Sequence, residues 1–340
     1  MMKAAIVKGP GLLSVEEVPT PKAGPGGVVI KVRYCGICGS DVRMFPEGFF
    51  PPGFIMGHEF SGEIFGVGPG VEGWAMGDRV TAMPALTCGT CHYCRLGETH
   101  HCQNLKILGM HGGLQGAFAE YVGVNASMLR RLPDAVTDEE GANIEPCAVS
   151  LRAVRRSGMR VGDSVAIFGA GSIGLFVLQC ARLAGASAVY VIEPVESRAK
   201  AATLLGADRI LDPSKADVSS EIAGLTLYGA DVAFVCTAAP PVLEQAVGSV
   251  RPQGRVMVVG GGMTATVMPE HWMWKEVEVG GSFAYIDEFD MALALFKRRS
   301  VRVEGMISRV IPLEGLGQAL MGLAKPSDQI KVLVQPGQTG

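Results

Sequence analysis

Apolar positions follow two rhythms along this chain, and the change of rhythm divides it. From residue 165 to 168 an unbroken apolar run reads as a strand buried on both faces. It ends in Gly169-x-Gly171-x-x-Gly174, and an apolar helical pattern starts at once and runs to residue 186. Further runs at 188–192, 209–211, 232–236, 255–259 and 277–279 follow, with helical stretches such as 197–205 and 242–250 between them. Strands alternating with helices in this way predict a doubly wound parallel sheet, an α/β fold. The first 35 residues read differently. Strand-like stretches at 4–7, 12–18 and 28–34 are separated by turns, with prolines and glycines gathered between 19 and 27. They predict a β-rich unit ahead of the parallel sheet. A strand with glycine breaks is expected at 64–68, and a glycine-rich turn from 112 leads into another near 121. Thr137 followed by three acids reads as a helix start, and the helical pattern carries on through Glu145-Pro146 to Val154. The tail predicts a helix at 289–297, a strand-like stretch at 301–310, a helix at 313–323 and a last strand at 330–334. The expected division is 1–150 for the first unit, 151–286 for the parallel sheet, and 287–340 as a return to the first.

The glycine turn carries the first chemical reading. Gly169 suits the tight turn, Gly171 the approach of a pyrophosphate, and Gly174 the close packing of helix on strand. The helix start, with Ser172 and Ile173, offers unpaired N–H groups and partial positive charge to phosphates. The next strand ends in Glu193, where a carboxylate accepts the hydroxyls of a ribose. A strand, the glycine turn, a helix and an acid in that order point to a dinucleotide cofactor.

Composition narrows the class. A chain of 340 residues is long for one core, so at least two domains are expected. With 48% hydrophobic and 19% charged residues it reads as compact, and the apolar run from 165 to 180 is too short and glycine-broken for a membrane span. A net charge of −3 without basic clusters argues against nucleic acid or an anionic membrane as partner. The start shows no signal-peptide pattern, so a cytoplasmic location is expected and the nine cysteines read as thiols or metal ligands rather than disulfides.

Cys88-x-x-Cys91-x-x-Cys94 with Cys102 beyond supplies four thiolates in one short lobe, residues 86–104. Four soft ligands closing a tetrahedron predict a structural zinc. An iron–sulfur cluster is the rival, and the distant fourth cysteine without a following proline disfavours it. His92, His100 and His101 are expected to face solvent, the site being full without them. Cys35-x-x-Cys38 is either a redox pair or half of another metal site. His58-Glu59 is either structural or metal-binding, and Glu145 either ends a helix turn or faces a cation.

Cys38-Gly-Ser40-Asp41, Gly57-His58-Glu59, the four-cysteine lobe, Gly77-Asp78-Arg79-Val80 and the glycine turn, in that order, resemble the zinc-dependent medium-chain alcohol dehydrogenases over essentially the whole chain. The resemblance implies a GroES-like catalytic domain beside a Rossmann domain. It implies two zinc ions per chain, one structural and one catalytic, the latter held by Cys38, His58 and, as in the polyol and butanediol branch, Glu145. It makes Glu59 an outer or exchanging ligand, Asp41 the partner of the His58 ring, and Ser40 the group that passes the substrate's proton outward. Many relatives carry a histidine three residues beyond that serine. Arg43 stands there in this chain, and a guanidinium cannot accept a proton. Glu193 implies NAD over NADP, with Arg198 expected against the adenine.

For the substrate, Ser282-Phe283-Ala284-Tyr285 looks like the butanediol dehydrogenase form of a loop in which sorbitol dehydrogenases carry an arginine at the alanine. With Phe118 and Tyr285 expected on the pocket wall, the reading is a secondary alcohol or vicinal diol, or the matching ketone. Sorbitol or another polyol, and threonine, are the alternatives. A zinc-free quinone reductase-like protein and a non-enzymatic zinc-ribbon module are the readings of another class. The branch implies a homotetramer or homodimer.

Overall fold

The computed structural model describes every residue except Met263, Pro326, Thr339 and Gly340. The N-terminal third folds as β1 (Met2–Gly9), β2 (Leu12–Val18), β3 (Gly27–Gly36), α1 (Gly39–Met44), β4 (Glu59–Val67), β5 (Arg79–Ala82), β6 (Ala85–Leu86), α2 (His92–Arg95), β7 (Lys106–Ile107), β8 (Tyr121–Asn125) and β9 (Leu129–Arg131). Next come α3 (Asp138–Gly141), α4 (Ile144–Arg156), β10 (Ser164–Phe168), α5 (Ser172–Leu183), β11 (Ala188–Ile192), α6 (Glu196–Leu204), β12 (Arg209–Leu211) and α7 (Val218–Thr226). The chain closes with β13 (Ala230–Val235), α8 (Val242–Ser249), β14 (Val250–Val258), α9 (Pro269–Lys275), β15 (Glu278–Gly281), α10 (Glu288–Lys297), β16 (Ile307–Pro312), α11 (Leu316–Leu323) and β17 (Lys331–Gln335).

Two sheets organise these elements. β12-β11-β10-β13-β14-β15 form one six-stranded parallel sheet, with the chain reversing direction of travel between β10 and β13. Its strands are buried on both faces, as their continuous apolar runs require, between α4, α5 and α10 on one side and α7 and α8 on the other. The second sheet runs β16-β17-β3-β4-β5-β9, with β8 added on β3, and the core against it holds Val28, Ile30, Phe60, Ile64, Val122 and Val334. The two units meet along the C-terminal ends of the parallel strands, where a doubly wound sheet takes its ligand.

Ile144, Cys147, Ala148 and Leu151 of α4 pack in the core of the parallel sheet. Phe289, Ala292 and Phe296 of α10 pack there as well, and the return begins only with β16, whose Ile311 joins the other core. An amphipathic helix carries no mark of which sheet it will cover.

The glycine turn is built as its spacing implied. Gly169 has φ +98°, and a Cβ on Gly174 would stand 1.9 Å from the Gly169 carbonyl oxygen. Because that neighbour is backbone, Gly174→Ala is expected to push α5 off β10, costing about 1–3 kcal/mol and weakening NADH binding at the displaced helix end. Urea unfolding and a fluorescence titration read the two effects.

Candidate active site between the two units

α1 starts the site. Cys38 is its N-cap, and Asp41 Oδ2 accepts the Cys38 backbone N–H at 3.0 Å, which fixes the thiol at the helix entrance. Asp41 is fully buried, and its other oxygen faces His58 Nδ1 at 3.8 Å, beyond hydrogen-bonding distance. Neither atom has a hydrogen-bond partner among the described residues. The sulfur of Cys38, a His58 nitrogen and a Glu59 carboxylate oxygen all lie within 4.8 Å of one another.

The register of three strands carries the rest. Leu333 of β17 pairs with Gly36 of β3, and Gly36 pairs with Glu59 of β4. A side chain at Gly36 would meet Glu59 Oε2 at 2.5 Å, so this glycine leaves the space in which Glu59 and Lys331 meet. Lys331 Nζ lies 2.5 Å from Glu59 Oε2 and 3.1 Å from the Ile37 carbonyl, and both side chains are 2% exposed. Nothing in the local sequence pairs these residues, and the only early signal was one lysine at the head of an otherwise apolar strand.

The parallel unit contributes from the opposite wall. α4 holds Glu145 in its first turn, and the Ser150 hydroxyl sits 2.9 Å from the Pro146 carbonyl and 3.1 Å from that of Ile173. The Glu145-bearing helix is thereby tied to the start of α5. The loop with Tyr285 is tied to α4 in turn: Arg155 donates to Asp287 at 2.6 Å and to the buried Glu288 at 2.7 Å, and Ile286 N–H donates to Glu288 at 2.8 Å. The half-buried Glu145 faces the buried Tyr285, and Glu145 stands outside the 4.8 Å group in which Glu59 takes the third place.

The electrostatics favour a cation here. Burial opposes a charged His58, yet the negative groups Asp41, Cys38 and Glu145 raise its pKa well above the ordinary value. Burial above all pushes Glu145 up to about 7 and Asp41 up to about 6, and it raises the Cys38 thiol. A buried pocket that draws protons onto this many donors is one that a divalent metal could occupy instead. The Ser40 hydroxyl is buried beside it without a partner among the described residues.

In the lobe, the four sulfurs of Cys88, Cys91, Cys94 and Cys102 also lie within 4.8 Å of one another, with Cys88 and Cys102 at 3.5 Å. A tetrahedral zinc thiolate site needs sulfurs about 3.8 Å apart, so the donors fit. Backbone N–H groups of Thr90 and Cys91 bring the Cys88 thiol down to about 5. Cys35 takes part in neither group; it is fully buried and its thiol contacts the Gly36 carbonyl. His100 departs from the solvent-facing expectation: it is buried, with its Nε2 3.4 Å from Arg152. Burial and the neighbouring positive groups lower it to about 4.

At the glycine turn, α5 has no side-chain cap, Ser172 Oγ is buried without a partner among the described residues, and a Cβ on Gly171 would meet nothing within 4 Å. That open cradle fits a pyrophosphate. Glu193, 5% exposed, accepts from Ala170 N–H at 2.8 Å and Val195 N–H at 3.0 Å, which aims it over the turn. Beside it a cavity of about 650 Å³ opens at the ends of β11 and β12, lined by Glu193, Ile210, Leu211, Asp212 and Lys215 among others. Arg198 Nη2 donates to the Gln329 carbonyl at 2.8 Å, fastening α6 to the approach to β17. Phe118 has no accessible surface and packs in the first core, because its backbone pairs with Met56 and Ala5, so it lines no open pocket.

The comparisons with known proteins agree with this arrangement. A family model described as alcohol dehydrogenase GroES-like domain matches residues 24–134, and one described as zinc-binding dehydrogenase matches residues 172–298. The (R,R)-butanediol dehydrogenase of Bacillus subtilis (strain 168) is 39% identical over 98% of this chain and 100% of its own length. The crystal structure of the 2R,3R-butanediol dehydrogenase from Bacillus subtilis superposes with a TM-score of 0.91, covering 99% of this chain and 100% of that one. A sorbitol dehydrogenase of Halalkalibacterium halodurans is 34% identical over 98% of this chain and 99% of its own. A zinc-binding dehydrogenase from Sinorhizobium meliloti 1021, solved bound to NADP, is 34% identical with a TM-score of 0.92 over 99% of both chains.

Proposed function

The chain belongs to the zinc-dependent medium-chain alcohol dehydrogenase family, in its polyol branch, and we propose that it moves a hydride between a compact secondary alcohol or vicinal diol and NAD. The observation that carries this is the buried donor group Cys38, His58 and Glu59, with Glu145 and the Ser40 hydroxyl beside it. A zinc held there would act as a Lewis acid on the alcohol oxygen, and the nicotinamide of a dinucleotide anchored by the glycine turn would accept the hydride. The protein's own part is to hold that geometry and move a proton. Asp41 fixes the Cys38 backbone, Lys331 holds Glu59, and Tyr285 holds Glu145. Ser40 passes the hydroxyl proton outward, and since Arg43 cannot accept it, water takes it at the mouth.

NAD over NADP is supported by the cavity at Glu193. Glu196, Asp212 and Glu221 join Glu193 there against one lysine, and that surplus of carboxylates repels a 2′-phosphate. The small Ala284 in the Tyr285 loop supports a compact substrate over a long polyol. A homo-oligomer is supported by the free edge of β15 and by the exposed Met268, Met273 and Trp274 just before it. Among the described residues no helix is long and apolar enough to cross a membrane.

The four lobe cysteines would hold a structural zinc. Cys102→Ser is expected to remove about one zinc per chain and lower the unfolding temperature, while NADH binding persists. Metal analysis and a thermal melt check both parts. The substrate reading is tested by NADH formation from 2,3-butanediol, sorbitol, threonine and simple secondary alcohols. Butanediol or a simple secondary alcohol should lead; sorbitol or threonine in front would overturn the pocket reading.

A further inference from the structure

Arg43 lies on α1 one turn beyond Ser40, and its side chain reaches toward the other unit. It lies against the backbone that follows β14 of the parallel sheet. A Cβ on Gly262 would stand 2.3 Å from Arg43 Cδ and 2.6 Å from Nε, and a Cβ on Gly261 would be 4.0 Å from Nη2. Glycine at 262 is therefore what lets the arginine cross. Among the described residues its one ion pair is a loose i,i+4 contact, 3.5 Å to Glu47, whose side chain is 57% exposed. A guanidinium has five N–H donors, and the Arg43 side chain is 37% exposed, so it can offer donors beyond the Glu47 contact.

The strand ends below it form one row. A Cβ on Gly169 would stand 3.1 Å from Thr237 Cβ, and one on Gly260 would stand 3.1 Å from Thr237 N. The ends of β10, β13 and β14 are thus contiguous, and Arg43 overhangs the far end of the row. Glu193 marks the adenosine side on β11, across the point where the strand order reverses. A dinucleotide lying across that point places its adenosine over β11 and its nicotinamide half over β13 and β14. The phosphates sit between, at the start of α5.

We infer that Arg43 is a cofactor clamp: it donates across the cleft to the phosphate of the nicotinamide half of the dinucleotide. At the position where many relatives carry a proton-accepting imidazole, this chain places a fixed cation that binds the cofactor and joins the two units over it. Arg43 is then a binding and positioning residue. The inference rests on the dinucleotide reading given above.

The test is direct binding, followed by NADH fluorescence and by calorimetry for ligands that do not fluoresce. Arg43→Ala should weaken NADH and ADP-ribose by about tenfold or more, the cost of a charge-assisted hydrogen bond. AMP, which lacks the second phosphate, should bind within about twofold of wild type. Arg43→Lys should recover part of the loss, because a point charge keeps the attraction but not the fork. The weakening of NADH by added KCl should also be shallower in Arg43→Ala. An unchanged NADH affinity in Arg43→Ala, with the wild type binding NADH, overturns the clamp alone. Equal weakening of AMP and NADH overturns its placement on the nicotinamide side. A wild type that binds neither NADH nor NADPH overturns the dinucleotide reading and the clamp with it.

Discussion

His58→Ala should lower NAD reduction by about a thousandfold or more while leaving NADH binding nearly unchanged. The cation at this site is asked to supply several kcal/mol of transition-state stabilisation, and each 1.36 kcal/mol is about tenfold in rate. Removing the imidazole takes one of three clustered donors, itself 3% exposed, and no other described side chain joins that close group to replace it. NADH binding should survive because the glycine turn and Glu193 belong to the other unit, where Glu193 is held by Ala170 and Val195 rather than by His58. Steady-state rates beside a fluorescence titration separate the two effects. A variant that loses both in proportion would mean that His58 holds up the fold rather than the chemistry.

In the zinc-stripped protein, where Glu59 has no metal as counter-charge, Lys331→Met should destabilise the fold by about 3–5 kcal/mol, the usual cost of stripping one partner from a buried ion pair. Lys331 and Glu59 are both 2% exposed, so no water reaches the carboxylate left behind. Pairing Lys331→Met with Glu59→Gln should recover much of the loss, since the double variant buries no lone charge. Urea unfolding of the three variants makes the comparison. A single variant as stable as wild type would show that Glu59 has another counter-charge in the native protein.

The glycine turn and its flanking elements were legible because they are local. An apolar run, three glycines and an acid one strand later specify β10, α5 and the end of β11 without help from the rest of the chain. The four-cysteine lobe was legible for the same reason. α7 and α9 were not expected from the pattern. α7 is rich in serine and glycine and is started by an Asp217 cap, and α9 is a short, exposed turn begun by Pro269. β14 starts five residues before the expected 255, at Val250, because pairing with Ala230 is made ahead of an irregularity that absorbs Pro252 and Gly254. The single helix expected from Thr137 is two, since the turn at Ala142 and Asn143 separates α3 from α4.

At the site, the sequence named the donors but not their order around the centre. Glu59 lies in the close group with Cys38 and His58 because β-sheet register, rather than any motif, sets its distance from them. Lys331 pairs with a residue 272 positions away, and only the assembled sheet shows it. Phe118 is packed in the first core and Arg198 ties α6 to the segment before β17, and neither use shows in the local sequence.

The central claim is that Cys38, His58 and their carboxylate partners hold a zinc on which alcohol oxidation depends. The measurement that tests it most directly is zinc per chain in the purified protein, followed through chelation alongside NADH formation from 2,3-butanediol. The account predicts about two zinc ions per chain, with turnover lost as the more labile one leaves and regained when zinc is returned. Full turnover in a chain that keeps only the lobe zinc would contradict it.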